Sequence, residues 1–203
     1  MAAFEKISSG IPEMDKELDY IRLGDNVVWQ VDSIEEFKDF AVSLATQSLH
    51  DHRKLIYIQF SSKTPMLEID GIKVYHVELS HRFENFTVEI HHIIENEGKD
   101  AIYVFDCLSD LQVAWSADLM MSNFFKVTCP FLFQLDTVAY FPIIRGRHSF
   151  EAIAKIRETT QLFLDVYSDD NVTYVHPLKV WNRYSPKMFL PHSFQADTKE
   201  FKP

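Results

Sequence analysis

The chain has 203 residues, 46% of them hydrophobic and 14% aromatic, which is enough to bury one core of ordinary size in a single domain. Its 30 acidic and 20 basic residues leave a formal charge of -10. This balance argues against a surface built to attract phosphate backbones or anionic lipid, so neither nucleic acid nor a membrane is an expected partner. Cys107 and Cys129 lie in apolar surroundings without metal-ligand spacing. They read as small buried hydrophobes of a reducing compartment, with no metal expected. The opening residues hold no apolar run of signal-peptide type and no stretch of about 18 apolar residues occurs, so the expected location is cytoplasmic.

In chain order, Asn26 to Val31 is a short β-branched apolar run. Asp32-Ser33 follows it, and then a helical pattern that places Ile34, Phe37, Phe40, Ala41, Leu44 and Ala45 on one face. Leu55 to Phe60 predicts a second buried strand and Ile72 to Val77 a third, separated by a loop with Pro65 and Gly71. Phe83 to Asn96 predicts a helix with Phe86, Ile90, Ile93 and Ile94 inward and Gly98 as its stop. Ala101 to Phe105 is the next strand. After Asp106 a helical stretch is expected to about Val127, ended by Pro130 ahead of a strand at Phe131 to Leu135. One more helix fits Ser149 to Arg157. Gln161 to Ser168 and Val172 to Arg183 then read as a β-hairpin across Asp169-Asp170-Asn171, extending the sheet, and the last ten residues read as a flexible tail.

Alternating strands and helices, with strands apolar on both faces, predict an α/β domain whose mostly parallel central sheet carries helices on both sides. No repeat or Gly/Ser-rich linker divides the chain.

Ser9-Gly10-Ile11-Pro12-Glu13-Met14-Asp15 resembles the signature that begins KaiC-like domains of the RecA superfamily. Gly24 to Ala45 is similar to that family's Walker A unit, Ile102 to Ser109 to its Walker B segment, and His148 to Thr160 with the following Leu178-Lys179 to its C-terminal region. Within the superfamily, Gly24 to Asp32, Tyr103 to Leu111 and His176 to Pro186 resemble the N-terminal region of phosphoenolpyruvate synthase and pyruvate, phosphate dikinase-like proteins. The resemblance implies a RecA-like P-loop fold. It also implies that the chain is a module of a longer pyruvate-phosphorylating kinase, whose other domains, or further copies of this one, are its expected partners.

The residues of ATP chemistry are missing. A P-loop needs glycines to wrap the β-phosphate, a lysine and a Mg²⁺-binding hydroxyl. The corresponding turn, Val31 to Asp39, has no glycine, and gapless alignment puts Phe37 at the lysine position and Lys38 at the hydroxyl position. Ser33 with Glu36, or Asp32 with Glu35, has capping-box spacing, so the helix start is expected to satisfy itself. Ser61 and Ser62 stand where the family places acidic residues that activate water, and unperturbed hydroxyls are poor general bases.

Lys38, Asp106 and Lys179 remain as remnant nucleotide contacts, while Trp181 replaces an expected arginine and Arg183 reads as a solvated surface residue. Arg145, Arg147 and His148, around Gly146, form a candidate anion site. The expected function is a non-catalytic regulatory or docking domain without a cofactor. The alternative is a nucleotide- or anion-binding sensor or ATPase with a non-standard site.

Overall fold

A computed structural model describes residues 4–60, 65–79, 82–115, 117–170 and 172–203. Two short strands, β1 (Lys6–Ile7) and β2 (Ile21–Arg22), pair antiparallel around helix α1 (Pro12–Leu18). The chain continues through β3 (Asn26–Val31), α2 (Ile34–His50), β4 (Leu55–Gln59), β5 (Lys73–His76), α3 (Phe83–Glu97) and β6 (Ile102–Phe105). A 3-10 segment (Leu108–Val113) leads into α4 (Asp118–Gln134), β7 (Val138–Ile144), α5 (Phe150–Thr159), β8 (Leu162–Asp169), β9 (Val172–Val180), β10 (His192–Gln195) and β11 (Glu200–Lys202).

Among the described residues nine strands form one sheet in the order β11-β10-β9-β8-β3-β7-β6-β4-β5. The run from β8 to β5 is parallel, and β9, β10 and β11 are antiparallel additions on one side. The domain is therefore an α/β structure with a large, mostly parallel mixed sheet. Strand periodicity divides its apolar side chains between two cores. Trp29 and Val31 face α1 and α2, while Val28 faces α3, α4 and α5.

Four expectations need correction. The strand expected at Phe131 to Leu135 is the last part of α4, which runs through Pro130; the strand follows as β7. Met121, Phe124, Phe125, Thr128, Cys129 and Leu132 are buried at helical spacing on both sides of the proline. Burying large apolar side chains at about 1.5–3 kcal/mol each offsets the cost of an interior proline, about 3 kcal/mol.

The strand at β5 is a sheet edge with mostly exposed side chains, because only β4 pairs with it among the described residues. The tail is ordered as β10 and β11, since Phe194 and Phe201 bury themselves and Phe194 packs on Phe40 of α2 at 4.5 Å between ring centroids. Arg183 is not a surface residue. Its side chain is 1% exposed and donates to both carboxylate oxygens of Asp25, at 2.7 and 2.9 Å. Asn171, in the expected turn, lies outside the described residues.

Pro142 sits within β7, where a proline normally breaks the ladder. Here its missing N–H has no consequence. The N–H groups of Ala139 and Arg145 face β3, donating to Asp25 and Val31, whereas those of Val138 and Ile144 face the other side. Pro142 shares the parity of the latter pair, and β6 pairs only with Val138 to Tyr140, so the ladder has already ended opposite it.

The N-terminal motif has a structural explanation. The Asp15 carboxylate accepts from the Ser9 N–H at 2.8 Å and the Ser8 hydroxyl at 2.6 Å, and Pro12 opens α1 where no N–H is needed. Gly10, at φ 82°, lies against α2 so closely that a Cβ would stand 2.4 Å from the Ser43 carbonyl oxygen. Gly10→Ala is expected to cost about 3 kcal/mol or more, combining backbone strain with a clash against a rigid helix. Gly98→Ala, at φ 72° and ψ -147° but with open space around its Cβ, should cost about 1–3 kcal/mol, from backbone strain alone. Urea unfolding of both variants checks this, and equal losses would show that the contact with α2 does not anchor the N-terminal segment.

Candidate functional site

Helix α2 leaves β3 toward one face of the sheet, whereas α4 and α5, which follow β6 and β7, pack on the other. Since β3 and β7 are neighbours, the chain departs in opposite directions from adjacent strand ends, the arrangement that opens a crevice in α/β sheets. A cleft of about 600 Å³ lies there. Asp32, Glu35 and Lys38 line it from the β3–α2 side, Asp106, Cys107 and Asp110 from beyond β6, and Ile144 and Arg147 from the end of β7.

The start of α2 satisfies itself. Ser33 and Glu36 form a capping box in which the Glu36 carboxylate accepts from the backbone N–H groups of Ser33, at 3.3 Å, and Asp32, at 2.8 Å. The Ser168 hydroxyl donates to the other Glu36 oxygen at 3.0 Å, tying the helix start to β8. The Asp32 carboxylate instead accepts from Arg145 Nε at 2.6 Å.

The basic cluster expected around Gly146 is pulled apart. Arg145 also donates to Asp165 at 2.6 Å and to the Val166 carbonyl at 2.7 Å, and Gln30 shares the Asp165 carboxylate at 2.6 Å. The guanidinium thus reaches across β3 and clamps β7 to β8. His148 turns inward, its side chain fully buried. Its Nε2 lies 2.8 Å from Ser109 Oγ and its Nδ1 2.7 Å from Asp118. Of the three only Arg147 lines the cleft; it is exposed, and its guanidinium has no hydrogen bond or ion pair among the described residues.

Ser109, His148 and Asp118 have the connectivity of a nucleophilic triad, but their burial assigns them another task. Ser109 is 0% exposed, and its oxygen also accepts the Ile144 N–H at 2.8 Å. A substrate carbonyl has no path to it. The relay instead holds the ends of β6 and β7 together, and Asp118 extends it by accepting the Ser149 N–H at 2.6 Å.

Asp106 closes β6 with its carboxylate engaged by protein groups. It accepts from the Tyr57 hydroxyl and, at 3.0 Å, from the Phe60 N–H. Burial, with the Asp106 charge added, pushes the Tyr57 pKa well above its ordinary value, so the phenol stays a donor. Beside Asp106, burial and then the nearby Asp110 charge push the Cys107 thiol up to about 11. A neutral thiol is a weak nucleophile.

Lys38 projects into the cleft from α2, exposed and without a hydrogen bond or ion pair among the described residues. Lys179 lies elsewhere. It is opposite Phe163 near the start of β8, at the other edge of the sheet, and donates to the Arg157 and Glu158 carbonyls at 2.6 and 2.8 Å. That is a C-terminal cap for α5. Ser61 and Ser62 lie outside the described residues. Among those described, no group of three or more His, Cys, Asp or Glu residues could hold a metal ion, and no helix is long and apolar enough to cross a membrane.

Asp118 and Asp165 were not legible as partners of the site, because each meets its basic residue only through the fold. Burial opposes ionisation of Asp118, but the bonds from Ser149 and His148 outweigh it and hold its pKa below the ordinary carboxylate value. A carboxylate depressed by folding contributes stability that is complete above its unfolded value of 3.8 and is lost as pH falls through the folded one. Urea midpoints measured at pH 5 and pH 3 are expected to fall more in the wild type than in Asp118→Asn. An identical fall would remove Asp118 from the acid response.

No protein-family model matches the chain, and no curated protein matches it.

Proposed function

We propose that this chain is a RecA/KaiC-like domain that has lost ATP chemistry and serves as a regulatory or docking module of a phosphoenolpyruvate synthase or pyruvate, phosphate dikinase-like phosphotransferase. The observation that carries the reading is the start of α2. In a P-loop, free N–H groups and a glycine-rich turn receive phosphate oxygens. In this chain the turn has no glycine, the Glu36 carboxylate accepts the N–H groups of Asp32 and Ser33, and Asp32 is held beside it by Arg145. A triphosphate brought to the same place meets Asp32, Glu35 and Glu36, whose charges oppose its own.

The RecA-like part of the reading is supported by the ordered motifs along the chain and by the cleft's position over the strand that leads into α2. Loss of catalysis is supported by Asp106, whose carboxylate oxygens bind Tyr57 and Phe60. A second reading, a sensor of small anions, draws on Lys38 and Arg147, the cleft cations without an ion pair among the described residues.

Titration calorimetry with ATP·Mg²⁺, together with a phosphate-release assay, tests the proposal. The expected result is no saturable heat at micromolar nucleotide and no release above the buffer rate. Micromolar binding with turnover abolished by Asp106→Ala would overturn it.

A further inference from the structure

Once the internally bonded groups of the cleft are set aside, the charges left free among its described residues are two of each sign, and we propose that it binds a small zwitterion carrying an ammonium and a carboxylate on an apolar body. This rests on the non-catalytic reading above and deepens it by naming the ligand class of the regulatory site. Asp32 shares the Arg145 guanidinium with Asp165, and Asp106 is engaged by Tyr57 and the Phe60 N–H. Four charged side chains of the lining remain without a hydrogen bond or ion pair among the described residues: Glu35, Lys38, Asp110 and Arg147.

Their distribution matters more than their number. Glu35 and Lys38 are three residues apart on α2, so that side of the cleft presents one charge of each sign. Asp110 and Arg147 present the same combination from the segments that follow β6 and β7. The second pair is held on a rigid frame. Asp110 adjoins Ser109 and Arg147 adjoins His148, and those two neighbours are bonded to each other in the buried relay. Gln112 further holds the Arg147 backbone by donating to its carbonyl.

A simple anion entering this cleft gains two cations and meets two carboxylates. A zwitterion pairs with both kinds of free charge, which is electrostatic complementarity. Ile34 and Ile144 add apolar surface for the body of the ligand. The cleft volume, about 600 Å³, falls in the range of small-molecule sites. Free amino acids and short peptides share this chemistry, and the two sources differ in the separation of their charged ends.

Calorimetry on the full chain with L-phenylalanine, L-phenylalanyl-L-leucine and the N-acetylated and C-amidated forms of each tests the proposal. Saturable binding is expected for at least one zwitterion, with its acetylated and amidated forms about tenfold or more weaker, the scale of one lost charged hydrogen bond. Tighter binding of the free amino acid assigns the site to a metabolite, and tighter binding of the dipeptide assigns it to peptide ends. Arg147→Ala and Asp110→Asn should each weaken binding about tenfold while thermal unfolding stays in place. Equal affinity for the acetylated form would make the cleft a plain anion site and overturn the proposal. So would no heat from either zwitterion, or unchanged binding in both variants. ATP turnover would instead overturn the domain reading on which the proposal rests.

Discussion

An N–H group at a helix start can be satisfied by only one set of acceptors at a time, and at the turn into α2 a carboxylate of the protein itself accepts the N–H groups of Asp32 and Ser33 while Ser33 accepts that of Glu36. Because Glu36 folds back onto the Ser33 and Asp32 amides, the end of β3 is fixed without a ligand. Asp32 is then free to turn toward β7, where Arg145 receives it. From that guanidinium the contacts run on to Asp165 and Val166 of β8. One helix start thus organises three neighbouring strand ends, a task that a bound phosphate or metal performs elsewhere.

The two edges of the parallel sheet are secured by different means. At the cleft edge the links are polar, part-exposed at Arg145 and buried in the Ser109–His148 bond of the relay and in the bond from Tyr57 to Asp106. At the opposite edge Arg183 is buried against Asp25, whose second oxygen also accepts the Arg22 N–H at 2.8 Å. Burial raises the Asp25 pKa even with Arg183 pulling it back, so this ion pair is costly to desolvate and contributes more to geometry than to net stability. Arg183 also donates to the Tyr20 carbonyl, joining the segment after β9 to the turn before β2. The cleft edge is therefore the more open of the two, and its lining retains charges that no described residue pairs.

Much of this architecture was legible in the amino-acid order because it rests on local rules. The buried run Asn26 to Val31, the capping spacing of Ser33 and Glu36, and the stop at Gly98 each act within a few residues. Errors arose where tertiary burial outweighed a local signal. Pro130 marks a helix end by its own chemistry, yet the aromatic face of α4 carries the helix past it. Phe194 and Phe201 sit among polar residues, and only the surfaces of α1 and α2 explain their burial. Arg183 resembles any exposed arginine until Asp25, 158 residues away in sequence, is placed beside it.

The sequence by itself determined the α/β class, the mostly parallel sheet and the absence of a glycine cradle at the turn into α2, since periodicity and residue type act locally and the cradle depends on a residue that is not there. Only the tertiary structure decided what Arg145, Arg147 and His148 each do. Three near-adjacent residues became a strand clamp, a free cation in the cleft and a buried relay, because the partners that separate them, Asp32, Asp165, Ser109 and Asp118, come from distant parts of the chain and converge only when the sheet forms.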